Sequence, residues 1–191
     1  MLKQILIFVT TYLLVSSEDQ FRTSSSVLHA KTQPKNVAFE DFGNYSGQSS
    51  TGMNYKKTYF ISRYFKSFWP ESKSICNSFN MELATFETLD EAQNFVTILE
   101  KNEYFKANGR FVLVDGVTDL QGSPAEWYWT NSGEKIPYSI PWAAAQPDNF
   151  YNNEPVLSVG RISMDDKVGF NDIPANYAAR FACQKTELIK N

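Results

Sequence analysis

The chain has 191 residues, a formal charge of −3 and 42% hydrophobic residues. Those values exclude a disordered or fibrous protein and leave room for one domain with extensions. Lys56-Lys57 is the only adjacent basic pair. The clustered basic face that phosphate binding needs is therefore missing, which excludes a nucleic-acid partner.

At the start of the chain, Met1-Leu2-Lys3 precedes an apolar run from Ile5 to Val15, followed by Ser16-Ser17. A charged head, a short apolar stretch and small residues predict a signal peptide over residues 1–17. The run is too short to cross a bilayer of about 30 Å as a helix. No other stretch reaches spanning length, so a secreted, extracellular protein with no membrane span is expected. In that compartment Cys76 and Cys183, the only cysteines, are expected to pair. The bridge would close a loop of about 100 residues and contribute about 4–5 kcal/mol on a chain-entropy account.

Residues 18–54 read as a flexible N-terminal segment. Ser24-Ser25-Ser26, Pro34 and the run Ser46 to Gly52 offer little to bury. Asn44-Tyr45-Ser46 is a sequon, which makes Asn44 the expected glycosylation acceptor. Order is expected from 55 to 186, with 187–191 as a tail. Thr58 to Ser62 is β-prone. A helix is predicted from Pro70 to Asn80, with Pro70 at its first turn and Ile75, Cys76 and Phe79 on one stripe. A second is predicted from Leu89 to Asn102. Thr88 and Glu91 have the spacing of a capping box, and Ala92, Phe95, Val96 and Leu99 form the buried stripe. Glu91, Gln93, Asn94 and Thr97 are expected to face water.

The second half changes character. Phe111–Val114, Glu126–Thr130, Val156–Val159, Val168–Phe170 and Arg180–Cys183 read as short strands. Residues 131–155 hold Pro, Gly, Asn and Asp with little periodicity, and a long irregular loop in a compact domain is usually functional. Two helices followed by short strands around such a loop predict an α+β domain.

The loop and the strands after it carry five oxygen-bearing side chains: Gln146, Asp148, Glu154, Asn171 and Asp172. Calcium takes about 6–8 oxygen ligands from carboxylates, amide carbonyls and backbone, so this set suits it. Pro147 fixes φ between the first two. Loops are polar by default, however, and the spacing alone leaves a calcium site and plain solvated surface both open.

Gln146-Pro147-Asp148, then Glu154, then Phe170-Asn171-Asp172, with Cys183 near the end and Cys76 in the first helix, resembles the C-type lectin family. There the pattern is Glu-Pro-Asn or Gln-Pro-Asp, a glutamate, then Trp-Asn-Asp. Val114-Asp115-Gly116-Val117 stands where the family has a Trp-Ile-Gly-Leu segment, and Trp127, Trp129 and Trp142 match its aromatic positions. The resemblance covers about Tyr55 to Gln184. It implies a C-type lectin-like α+β domain with two helices, small antiparallel sheets and a long calcium- and sugar-binding loop. It implies Ca2+ as the bound ion, with Gln146, Asp148, Glu154, Asn171 and Asp172 as ligands. Gln146, Asp148, Glu154 and Asn171 would also meet the sugar, and Phe150 would cover its apolar face. Gln-Pro-Asp goes in the family with galactose or N-acetylgalactosamine on glycans. An oligomer is compatible with all of this.

Several positions depart from the family. Its second disulfide would fall at Val156 and Ala175, both apolar here. Phe170 replaces the usual Trp. An auxiliary calcium site would use Asp119, but Ser123, Asn149 and Pro155 stand where acids would help, so one calcium is expected. The glycine-rich loop of some galactose-binding relatives is missing. Two rival readings compete. An enzyme is not expected: His29, the only histidine, lies in the N-terminal segment, which leaves a triad without a base. Glu154 with Asp172 is the one carboxylate pair worth testing as a glycosidase. The stronger rival is a lectin-like module that binds a protein partner without sugar or calcium, because fold alone does not decide function.

Overall fold

The computed structural model describes residues 39–108, 110–118, 126–137, 139–163 and 166–189. The segment 1–17, most of 18–54 before residue 39, and His29, Asp119 and Ser123 lie outside them. The described residues belong to one compact unit, Asn36–Asn191.

Strand β1 (Phe39–Gln48) and β2 (Asn54–Ser62) form a hairpin in register from Phe39↔Ser62 to Gln48↔Asn54. This corrects the expected flexible segment: its last residues, from 39 on, are a strand and a turn. The strand is polar because it is an edge whose outer side faces solvent, and Phe42 is its one buried hydrophobic residue. The boundary at 186 also moves. Strand β8 (Arg180–Leu188) runs two residues further, with Leu188 opposite Tyr55.

Between these strands come helix α1 (Trp69–Ser78), β3 (Glu82–Leu83) and α2 (Leu89–Lys101). Pro70 sits in the first turn of α1, and the helix stops where Asn80 takes a left-handed φ of 55°. Helix α2 starts where expected, with Thr88 Oγ1 accepting the Glu91 amide at 3.1 Å. A third, six-residue helix, α3 (Glu103–Asn108), was not legible, because six residues are too few to show a period. Strands β4 (Phe111–Thr118), β5 (Trp127–Tyr128), β6 (Val156–Gly160) and β7 (Gly169–Ile173) complete the order.

The sheet order is β1-β2-β8-β4-β6-β7, with β3 on β8 and β5 on β4. All pairs are antiparallel except β4 with β8, so the sheet is mixed and not purely antiparallel. Strands β4, β6 and β7 are almost wholly buried, which explains the apolar character of β4 and β6, while β7 carries Asn171 and Asp172 into the interior. Rings of Tyr59, Phe86, Phe95, Trp129 and Phe170 tie the hairpin, α2 and β7 together at centroid distances of 5.0–5.7 Å. Cys76 and Cys183 are bonded, Cα–Cα 5.5 Å, and fix α1 to β8.

One expected surface residue is in the core. Glu91 is fully buried, as are Lys57, Tyr55 and Tyr59. The Glu91 carboxylate accepts from Tyr59 OH at 2.6 Å, Tyr55 OH at 3.0 Å and the Glu87 amide at 2.7 Å, and it pairs with Lys57 at 3.0 Å. Lys57 Nζ also donates to the Thr85 carbonyl at 3.0 Å. Glu91 therefore turns inward instead of facing water, because both oxygens it brings into the core meet donors there.

Candidate metal centre

The loop that leads to the site is pinned before it turns. Ala143 N donates to the Phe170 carbonyl and Phe170 N to the Pro141 carbonyl, both at 2.8 Å. A Cβ on Gly169 would lie 2.4 Å from the Ala143 nitrogen. Only glycine lets the loop approach β7 this closely. The chain then passes Ala145 at φ 63° and a cis Gln146–Pro147 bond.

Asp172, in β7, receives the returning loop. Its Oδ1 accepts the Asp148 amide at 3.2 Å and its Oδ2 the Asn149 amide at 2.7 Å. Glu154 closes the other end. Its Oε2 accepts the Phe150 amide at 2.9 Å, and its own amide donates to Asn149 Oδ1 at 3.2 Å. Carboxylate oxygens of Asp148, Glu154 and Asp172 lie within 4.8 Å of one another. Glu154 and Asp172 are buried, while Asp148 is exposed. None of the ion pairs recorded among the described residues reaches these three.

Like charges in a dry place resist ionisation. Burial, then the neighbouring carboxylates of Asp172 and Asp148, push the Glu154 carboxyl up to about 7. Burial likewise raises Asp172, against the pull of the amides it accepts.

Two amide residues adjoin the cluster in sequence. Asn171 donates its Nδ2 to the Asp172 carbonyl at 2.8 Å, which fixes the side chain and leaves Oδ1 buried without a partner. Gln146 Oε1 is also buried and unpartnered. A buried acceptor with no donor is costly and calls for an explanation. Three carboxylates and two free amide oxygens are an all-oxygen donor set. That set fits a hard divalent cation such as calcium and lacks the nitrogen and sulfur ligands of a zinc site. The structure thus brings three of the expected residues, Asp148, Glu154 and Asp172, to one place, and Gln146 and Asn171 are near neighbours of Asp148 and Asp172 in sequence.

Phe150 is not in that set. It is 58% exposed and stands beside it, with Tyr151 against it at a ring distance of 4.2 Å. Asn149, Tyr151 and Asn152 all have left-handed φ, 44°, 56° and 54°. Asparagine tolerates this, but for tyrosine it costs roughly 1–2 kcal/mol. Sequence reading passed over Tyr151, although two adjacent aromatics in a polar loop were a usable signal. The expected acceptor Asn44 is exposed, but on strand β1 and not in a tail. Val156 is buried in β6 opposite Ile173, whereas Ala175 is exposed. A cavity of about 710 Å3 lies elsewhere, between the β1–β2 turn, Trp129 and Leu188.

The comparisons with known proteins agree with this architecture. The C-type lectin domain of murine dendritic cell inhibitory receptor 2, solved in complex with an N-glycan, is 21% identical; the match covers 69% of this chain and 91% of that one, TM-score 0.54. The C-type lectin CEL-I from Cucumaria echinata is 16% identical over 82% of this chain and all of that one, TM-score 0.54. The herring type II antifreeze protein is 23% identical over 70% and 92%, TM-score 0.50. No family model and no curated protein sequence matches the chain. The chain therefore has a C-type lectin-like α+β fold. A protein named for antifreeze activity shares the fold with proteins named as lectins, so fold alone does not decide function.

Proposed function

We propose that the protein is a secreted, calcium-dependent carbohydrate-binding protein of galactose type. The observation that carries the proposal is the crowding of the three carboxylates of Asp148, Glu154 and Asp172, together with buried, unpartnered amide oxygens on Gln146 and Asn171, their near neighbours in sequence. A cation would satisfy both deficits at once. Gln146, Asp148, Glu154, Asn171 and Asp172 would hold it. Similarity to C-type lectin domains solved with glycans supports the same reading.

A bound calcium ion supplies coordination positions that two neighbouring sugar hydroxyls can fill. The protein's own residues then read those hydroxyls. The Gln146 amide donates through its NH2, and the Asp148 carboxylate accepts. That order of donor and acceptor suits the 3- and 4-hydroxyls of galactose. Exposed Phe150 covers the sugar's apolar face, a contact of about 0.5–1.5 kcal/mol by analogy with ring pairs. Each Asp172 oxygen accepts one loop amide, which fixes the carboxylate and leaves a lone pair on each oxygen for the ion, an arrangement that suits a clamp better than the acid or base of a glycosidase. Secretion after cleavage near residue 17 and glycosylation at exposed Asn44 belong to the same proposal.

The test is retention on a galactose column in calcium, with elution by chelator and by galactose ahead of mannose. The double change Q146E with D148N keeps the number of oxygens and the total charge, and should move preference toward mannose. No retention on either sugar in calcium would leave the fold as a module for a protein partner.

A further inference from the structure

The aromatic pair next to the metal centre has a shape that a single sugar ring does not use. The Phe150 and Tyr151 rings touch at 4.2 Å but are inclined at 53°. Two faces at that angle form a bent wall, so one flat apolar face cannot lie on both. Tyr151 is 85% exposed, the most exposed of the large hydrophobic residues described. It is held there in a left-handed backbone, φ 56°, that tyrosine rarely adopts. Backbone strain concentrates at ligand clamps, where the surrounding structure overrides it. Here the override is visible. The Phe150 amide is tied to the Glu154 carboxylate, and the Asn149 side chain to the Glu154 amide, so the pair is anchored to the metal-centre acid at its Phe150 end. Tyr151 is the outer end.

We infer that Tyr151 forms a second subsite that takes the next sugar ring, so that the ligand is a disaccharide or longer glycan with a terminal galactose-type unit. This rests on the calcium-dependent galactose reading above. The terminal ring lies on Phe150, and the chain bends at the glycosidic bond so that the second ring lies on Tyr151. The Tyr151 hydroxyl is available to a hydroxyl of that second ring, as donor or acceptor.

Calorimetric titration of the full chain in calcium, with methyl β-galactoside and with lactose, tests this. Lactose should bind about fivefold to tenfold more tightly, the size of one aromatic contact. Y151A should bring lactose down to the level of methyl β-galactoside, while leaving methyl β-galactoside and calcium affinities as they were. Y151F should keep most of the lactose gain, which separates the ring's stacking from its hydroxyl. Equal wild-type affinities for the two sugars, or a lactose gain that survives Y151A, would overturn the second subsite alone. Failure of wild-type protein to bind either sugar in calcium would overturn the galactose reading, and this inference with it.

Discussion

The molecule buries acidic side chains in two places, and it treats them in opposite ways. On the β2–α2 side, Glu91 meets Lys57, two tyrosine hydroxyls and a backbone amide. In the loop, Asp148, Glu154 and Asp172 crowd within 4.8 Å, with backbone amides donating to the two buried acids. The first centre is complete as folded and works as a structural tie. The second has surplus charge, and the amide oxygens of Gln146 and Asn171, close to it in sequence, are buried without partners. A buried acid in itself therefore indicates nothing; what marks a binding site is the missing partner.

The comparison can be broken most severely on its complete side. E91A removes the anion but leaves Lys57 buried, and losing one partner of a buried pair costs about 3–5 kcal/mol. Urea denaturation should show that loss, with or without calcium. The same kind of change in the loop should behave differently. E154Q keeps an oxygen for the Phe150 amide and removes one of three like charges. In chelator it should be as stable as wild type or more so. In calcium it should bind the ion at least about tenfold more weakly, roughly 1.4 kcal/mol, by calorimetry. A loss of stability in chelator like that of E91A would erase the distinction between the two centres.

A smaller effect concerns pH. The folded, metal-free protein holds a proton on Glu154 up to about 7, above the ordinary value of 4.5. A raised folded-state pKa contributes stability that is full below 4.5 and is lost as pH rises through about 7. In chelator, wild type should therefore lose stability relative to E154Q between about pH 5 and pH 8. Calcium should abolish that difference in trend, because the ion takes the proton's place. Parallel melting curves in chelator across this range would count against mutual repulsion of the three loop acids.

How much of this was legible divides along the same line. Helix α2 was readable because Ala92, Phe95, Val96 and Leu99 repeat at the helical period. Glu91 sits four residues before Phe95 on that stripe, yet a glutamate there reads as solvated until Lys57 is seen opposite. Their pairing spans two elements, and local pattern carries no such information. Strand β1 was missed for a related reason: Gly43, Ser46 and Gly47 are poor strand formers, and the strand exists because β2 supplies its hydrogen bonds. Family resemblance singled out the five oxygen-bearing residues, of which the structure gathers Asp148, Glu154 and Asp172. Their spacing alone did not separate ligands from surface, and the unpartnered state of Gln146 Oε1 and Asn171 Oδ1 exists only in three dimensions. Phe150 could be named but not oriented, and Tyr151 went unnoticed because its exposure depends on the left-handed turn.

Calcium binding by the loop is tested by thermal unfolding of the wild-type protein in chelator and again in calcium. A ligand at a hundredfold excess over its Kd stabilises the folded state by about 2.7 kcal/mol. For a chain of this size that is a rise in Tm of roughly 5–10 °C. The account predicts such a rise, saturating with calcium concentration and lost in D148A and N171A. An unchanged Tm in wild-type protein, with no heat of calcium binding, would contradict it.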